Sequence, residues 1–199
     1  AFFGSNGGSY VLRVDDVPAT TGYGEPLQRR FAFADGERVV GVVSQDERHT
    51  RPAEAPEDDP RPHTGIALTC QGRVLRFTLA VHATTSKRAG RKYARLREGD
   101  QVFAVYPVND SDQLCIATKL GRALTFPCVD VPCLRAAGKG VTGVKLREED
   151  VVFASGLSQH PGAGPKVATS FGRDEVIRPR KFEGKRGGRG KVLLKRGSI

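Results

Sequence analysis

One pattern of short strands and turns recurs four times along this chain of 199 residues, and it constrains the fold more than any other feature. The clearest copy, residues 114–152, has an apolar strand, a Gly-Arg turn, a second strand, a proline-bounded corner, a basic glycine loop and an acidic turn. A period of about 40–50 residues with several strands per unit is typical of propeller-like arrays, whose units bury their apolar faces on their neighbours. The aligned turn glycines are Gly7, Gly72, Gly121 and Gly172.

The repeats predict an all-β fold: one domain over residues 1–199, built as a propeller-like array of about four blades of antiparallel strands. Between the first two units lies an acidic, proline-rich insertion, which we expect to be extended or disordered because it has almost nothing apolar to bury. Within the second unit, Gly90 favours a loop over a short helix for residues 86–97. The units are expected at about 1–45, 66–113, 114–160 and 165–199, with the insertion at 46–64.

The charge of the chain predicts a polyanionic partner. Its formal net charge is +10, and residues 166–199 contain eleven Lys or Arg against three acidic residues. The second unit adds four cations within Thr85–Lys92. In these loops, glycines would let the backbone approach phosphates and present N–H groups, while Lys and Arg neutralise charge and release counterions.

Other kinds of site have little support in the sequence. Cys70 and Cys115 lie in apolar strand patterns, where a free cysteine behaves as a small hydrophobic residue. The pair Cys128 and Cys133 has too few neighbouring ligands for structural zinc, which needs four, so we expect no metal. The four histidines are scattered and no catalytic constellation is found, so we expect no enzymatic activity of the domain itself. No apolar run approaches the ~20 residues that span a bilayer.

The unit at 114–152 resembles a blade of the β-pinwheel at the C-terminus of the DNA gyrase A protein, and the equivalent domain of topoisomerase IV is similar. The resemblance rests on the turn Gly121-Arg122, the strand residues Phe126-Pro127, the loop Gly138–Val141 and the acidic turn Lys145–Asp150. Four ordered copies extend it over nearly the whole chain, apart from the insertion.

The resemblance implies that neighbouring blades exchange strands and that a basic rim wraps duplex DNA. The gyrase branch carries a Gln-Arg-Arg-Gly-Gly-Lys-Gly box, and the segment Gly184–Gly190 is similar to it, with Gly in place of Gln. Two departures stand out: the segment lies in the last repeat instead of the first blade, and four repeats are fewer than the usual five or six.

We therefore expect a non-catalytic module of a type IIA DNA topoisomerase that bends duplex DNA to direct supercoiling or strand passage. The family's DNA-cleaving tyrosine belongs to a separate region that this sequence does not contain. Single-strand stacking is not indicated, since no aromatic residues interleave the basic loops. The expected DNA-binding residues are Lys185, Arg186, Arg189 and Lys191, then Arg135, Lys139 and Lys145, and then Lys87, Arg88, Arg91 and Lys92.

The resemblance also implies partners and a location. Besides duplex DNA, these are the catalytic region of the same polypeptide and the ATPase B subunit of the full enzyme, in a cytoplasmic, nucleoid-associated setting with no membrane partner. The domain itself is expected to need no cofactor, and the missing initiator Met suggests a piece of a longer protein. The gyrase and topoisomerase IV interpretations both stay open, as do two alternatives: a basic β-domain that binds RNA, or one that binds an acidic protein partner.

Overall fold

Four antiparallel hairpins, one from each repeat, form the framework of the protein. The structure is a computed structural model that describes residues 1–50, 62–170 and 172–194. In chain order the strands are β1 Phe2–Gly4, β2 Gly8–Tyr10, β3 Val39–Val42, β4 Thr64–Thr69, β5 Arg73–Thr78, β6 Arg91–Lys92, β7 Val102–Val108, β8 Gln113–Thr118, β9 Arg122–Pro127, β10 Cys133–Leu134, β11 Val141–Thr142, β12 Val152–Ser158, β13 Lys166–Ala168, β14 Asp174–Val176 and β15 Lys191–Val192.

The sheets show how the hairpins become blades, and they confirm the all-β prediction. Each of the first three hairpins takes a strand from its own repeat on one edge and a strand from the following repeat on the other, giving the orders β3-β1-β2-β6 and β12-β8-β9-β15. The middle sheet is ordered β7-β4-β5, and β5 pairs with both β10 and β11. The strand exchange implied by the resemblance is therefore observed at three joints. The fourth sheet contains β13 and β14.

The exchanged strands approach the preceding hairpin so closely that only glycine fits just before them. Gly140 precedes β11 with φ +65°, and a Cβ there would lie 2.3 Å from the Val74 carbonyl oxygen. Gly190 precedes β15 with φ +69°, and its Cβ would lie 2.6 Å from the Ala123 carbonyl oxygen. Both positions combine a left-handed backbone with a steric limit, which excludes other residues for two independent reasons.

The hydrophobic core is divided among the joints between units. One cluster joins the first two units through Phe3, Phe77 and Tyr93, and another joins the second and third through Ile66 and Phe126. The third cluster joins the third and fourth units and consists of Cys115, Ala117, Ala123, Val167, Ile177, Phe182 and Leu193. Each unit therefore depends on its neighbours for burial, as expected for a repeat array.

The acidic turns of the repeats hold the hairpin turns in place. The Asp100 carboxylate accepts hydrogen bonds from the backbone N–H groups of Gln71 and Gln101, at 3.0 and 2.9 Å. Asp150 does the same for Leu120 and Val151, both at 3.0 Å. Because ionised acceptors make strong hydrogen bonds, this contact accounts for the acidic residue that recurs at the end of the unit.

Several smaller expectations have clear outcomes. Residues 86–97 contain no helix, as predicted, whereas the short helix α1, Pro179–Phe182, was not foreseen. The predicted insertion ended one residue too late, because Thr64 pairs with Val108 in the sheet. Its central part, residues 51–61, lies outside the described residues. Among the described residues, no helix is long and apolar enough to cross a membrane. The unit boundaries given above stay a prediction.

We predict that Gly140→Ala destabilises the protein by at least 1–3 kcal/mol, because the residue must hold a positive φ and its methyl group meets a backbone carbonyl. Chemical denaturation of the purified chain measures the change. Gly162→Ala is the matched control, since its Cβ would meet nothing within 4 Å and its φ is not in the left-handed region. Equal loss in both variants would contradict the packing argument.

A buried histidine links the first two units. Ser9 Oγ lies 2.8 Å from His82 Nδ1, and the imidazole packs edge-on against Phe3 and Phe77 at centroid distances of 5.6 and 5.4 Å. Burial, followed by the positive charge of Arg91 and of the N-terminal amine, lowers the pKa of His82 from 6.5 to about 4. The neutral imidazole is therefore the form that fits this site.

We predict that stability falls as the pH drops from about 6.5 towards 4, because the unfolded chain binds a proton at His82 that the folded chain excludes. At its limit the loss is about 3 kcal/mol. Urea unfolding as a function of pH measures it. His82→Gln should be less stable at pH 7 and lose this part of the pH dependence, whereas the exposed His160→Gln should keep the full dependence.

Candidate nucleic-acid interface

The basic loops of successive repeats are hydrogen-bonded to one another and form one continuous surface. The Arg95 N–H donates to the Gly138 carbonyl at 2.9 Å, which joins the loops of the second and third units. The Lys145 N–H donates to the Gly188 carbonyl at 2.8 Å, which joins the third to the fourth. We call residues 86–97, 134–147 and 184–192 together the basic ridge. It crosses two unit joints without a break in the main-chain contacts.

The ridge brings together all eleven residues that the sequence predicted as DNA-binding. Nine of them are exposed, and Arg91 and Arg186 are half-buried. Among the described residues, eight have side chains with no hydrogen bond or ion pair: Lys87, Arg88, Lys92, Arg135, Lys139, Lys145, Lys185 and Arg189. These eight cations are available to an external ligand.

The other three side chains are engaged with the protein itself. Arg186 donates to the carbonyl oxygens of Asp130 and Thr142, both at 2.9 Å. Arg91 holds the carbonyl of Thr84 at 2.7 Å and its hydroxyl at 2.8 Å. Lys191 Nζ donates to the Lys181 carbonyl at 3.1 Å. These contacts leave each cation with its charge, since carbonyl oxygens do not neutralise it, but they fix its position.

The arginine of the Gly-Arg turn has a role that the sequence did not reveal. Arg122 reaches across the joint and donates to the carbonyl oxygens of Arg189, at 2.8 Å, and Gly190, at 2.5 Å. Arg73 repeats the contact one unit earlier, binding the carbonyls of Lys139 and Gly140 at 2.9 and 2.5 Å. Each of these arginine clamps holds the exchanged strand of the next unit and thereby orients the cations beside it.

The glycines of the box-like segment serve internal contacts, contrary to our expectation that they present free N–H groups to phosphates. The Gly184 N–H donates to Thr125 at 3.0 Å, Gly187 to Gly143 at 2.6 Å, and Gly188 to Lys185 at 2.9 Å, in each case to a carbonyl oxygen. These three amides are already occupied. The side chains of the ridge therefore carry the interaction with any anion that binds there.

The structure adds three exposed arginines that were not predicted from the sequence. Arg95, Arg97 and Arg147 continue the ridge beyond the loops, and residues 91–100 and 141–150 share one burial pattern, residue for residue. A signal for them is present in the sequence, since Arg95 lies one period of 50 residues before Lys145. The three positions fall outside the glycine loops, where the stronger signal lies.

The cysteines supply no site. Burial raises the pKa of the Cys128 thiol to about 12 and that of Cys115 to about 11, so both stay protonated within the core. All four cysteines are free. The described part of the chain holds no cluster of three or more metal-ligating side chains.

The fold and the ridge define a class: an array of strand-exchanged propeller-like blades whose exchanged segments are basic. The chain belongs to the family described as DNA gyrase C-terminal domain, beta-propeller, whose model matches residues 1–46, 67–109 and 112–155, more than half of its length. It is accordingly the accessory C-terminal domain of a topoisomerase A protein. The matched residues end before the box-like segment.

Curated relatives agree with this assignment. The gyrase A protein of Aminobacterium colombiense is 26% identical over 194 residues, which covers 96% of this chain and 22% of that protein. The gyrase A protein of Lawsonia intracellularis is 33% identical over 104 residues, 52% of this chain and 13% of that protein. The chain thus spans about a fifth or less of the length of these relatives.

Solved structures share the fold. The C-terminal domain of DNA topoisomerase IV matches with a TM-score of 0.80 at 20% identity, over 99% of this chain and 60% of that one. The E. coli ParC C-terminal domain matches with a TM-score of 0.72 at 25% identity, over 98% and 76%. A DNA gyrase A C-terminal domain matches with a TM-score of 0.69 at 19% identity, over 100% and 62%.

Proposed function

We propose that this domain binds duplex DNA along the basic ridge and bends it. The observation that carries the proposal is the array of eight unengaged cations on segments that are hydrogen-bonded to one another across two unit joints. Such a row matches the regular negative charge of a duplex, and its binding releases the condensed counterions. A field of one sign also speeds the approach of a polyanion.

Contacts should be made mainly to phosphates. The one α-helix among the described residues, α1, has four residues and is too short to read a major groove. No ring of the ten Phe or four Tyr lies within the ridge except Tyr93, which is buried, so base stacking has no platform. Sequence preference would then come from how easily a given duplex bends.

In the full-length protein the domain would serve the catalytic region of its own polypeptide and the ATPase B subunit of the enzyme, in the cytoplasm at the nucleoid. Its proposed part is to hold and bend the DNA that supercoiling or strand passage requires. It would supply no catalytic residue and bind no cofactor, which leaves the chemistry to the rest of the enzyme.

We predict that Lys185→Gln combined with Arg189→Gln weakens duplex binding about tenfold or more and lowers the slope of log K against log salt by about 1.8, or 0.9 for each phosphate that is no longer neutralised. Fluorescence anisotropy over a salt series measures both quantities. The two side chains make no internal contact among the described residues, so the fold should be unaffected. An unchanged slope would remove these residues from the interface.

Arg186→Gln is the matched comparison. It removes one charge together with two hydrogen bonds to backbone carbonyls, so it should lower thermal stability as well as affinity. The double variant should keep the wild-type melting temperature. Competition with duplex RNA of equal length tests the RNA alternative, because A-form helices present different grooves. Weak DNA binding at physiological salt would instead favour an acidic protein partner.

We further predict that the domain shifts the linking number of nicked circular DNA that is ligated in its presence, if the bend along the ridge is chiral. The shift is read on a gel after the protein is removed. It should grow with protein concentration and disappear in the Lys185→Gln, Arg189→Gln variant. A shift supports a gyrase-like role, whereas binding without a shift supports a DNA-holding role closer to topoisomerase IV.

A further inference from the structure

The fourth hairpin has an open edge that the other three hairpins fill. In the first three, β2, β5 and β9 each receive a strand from the following repeat. Among the described residues no segment pairs with β14 on the side opposite β13. The turn glycines show the same difference. A Cβ on Gly72 would lie 2.7 Å from the Val144 carbonyl oxygen, whereas one on Gly172 would meet nothing within 4 Å.

The open edge keeps the group that holds an incoming strand. Arg173 follows the turn glycine at the position that Arg73 and Arg122 occupy in the second and third units. Those two arginines bind the carbonyl oxygens of an exchanged strand, as described above. The Arg173 side chain is exposed and makes no hydrogen bond or ion pair among the described residues. A free arginine clamp therefore faces an unoccupied strand position.

The neighbouring side chains differ from those of the other hairpins in a way that selects an occupant. The next two residues of the receiving strand are Val74 and Leu75 in the second unit, but exposed Asp174 and half-buried Glu175 in the fourth. Two carboxylates beside a guanidinium disfavour a phosphate and favour a cationic segment that also offers backbone carbonyls. The edge thus differs in charge from the basic ridge.

We propose that the open edge of β14 docks an extended peptide segment that contains a glycine flanked by Lys or Arg, added to the sheet as a further strand. The main chain of such a segment would pair with β14. Arg173 would hold its carbonyl oxygens, and Asp174 and Glu175 would pair with its cations. The glycine is required because the corresponding Cβ of Gly190 would lie 2.6 Å from a backbone oxygen. This inference does not depend on DNA binding.

A second copy of this chain is a poorer occupant. Its own basic glycine segments are already paired as β6, β11 and β15. The remaining glycine with a comparable backbone, Gly24 at φ +80°, is followed by Glu25, which would face the two carboxylates of the edge. The charge of the edge therefore points to a different, basic partner segment.

The test uses a synthetic peptide with the sequence of residues 184–194 and the full isotope-labelled chain. We expect saturable NMR shift changes at residues 172–176. Binding should weaken at least tenfold for the same peptide with Val in place of its last glycine, and at least tenfold for the protein variant Arg173→Gln, Asp174→Asn, Glu175→Gln. The matched control is Glu98→Gln with Glu148→Gln, two exposed acids in turns of other units, which should bind normally.

Each alternative outcome would overturn the proposal. These outcomes are no shift at all, shifts confined to β9 through replacement of the protein's own strand, equal affinity for the Val-containing peptide, or concentration-dependent self-association in sedimentation experiments without peptide. The triple variant needs a preserved spectrum outside the fourth hairpin for its result to count. The peptide variant tests the same site in the unaltered protein, and its result therefore does not depend on how the triple variant folds.

Discussion

The seating of one repeat's glycine strand on the hairpin of the repeat before it is the contact on which the structure depends. At Gly140 and Gly190 the backbone enters a left-handed conformation and comes within reach of the opposite carbonyl, where a Cβ would collide. The following residues then complete the sheet, and the arginine clamps Arg73 and Arg122 fix the strand from the other side. Without this contact the clusters between units would lose one of their walls, since each consists of residues from two neighbouring repeats.

The same segments carry the charge, so stability and charge presentation are coupled. Like charges gathered on one surface repel one another, and burial elsewhere in the protein must offset that cost. Here the arginine clamps and Arg186 are bound to neutral carbonyl oxygens, which hold the cations in place without cancelling them. Ion pairs would have stabilised the loops as well, but they would have reduced the positive field. The hydrogen-bond pattern therefore suits a surface that must be both ordered and strongly positive.

The sequence predicted the fold well because the repeat recurs in the features that matter physically. The turn glycines aligned from sequence, Gly7 and Gly72 among them, all adopt positive φ, as the turns require. What could not be predicted was which contacts the recurring residues make. The arginine after the turn glycine looked like part of a surface hairpin, yet Arg122 binds a segment 67 residues further along the chain. The glycines of the box-like segment suggested phosphate contacts, yet their amides bond within the protein, because such pairings depend on the position of the neighbouring unit.

Strand exchange also has a consequence for synthesis. Each hairpin is completed by a segment from the following repeat, as far along as from residue 73 to residue 142 or from residue 8 to residue 92. A nascent chain that leaves the ribosome from its N-terminus therefore holds each blade unfinished until most of the next repeat has been made. Maturation proceeds in one direction with a lag of one unit, and at every moment the newest blade is the one with an open edge. An array of this kind has a built-in order of assembly, although its finished units resemble one another.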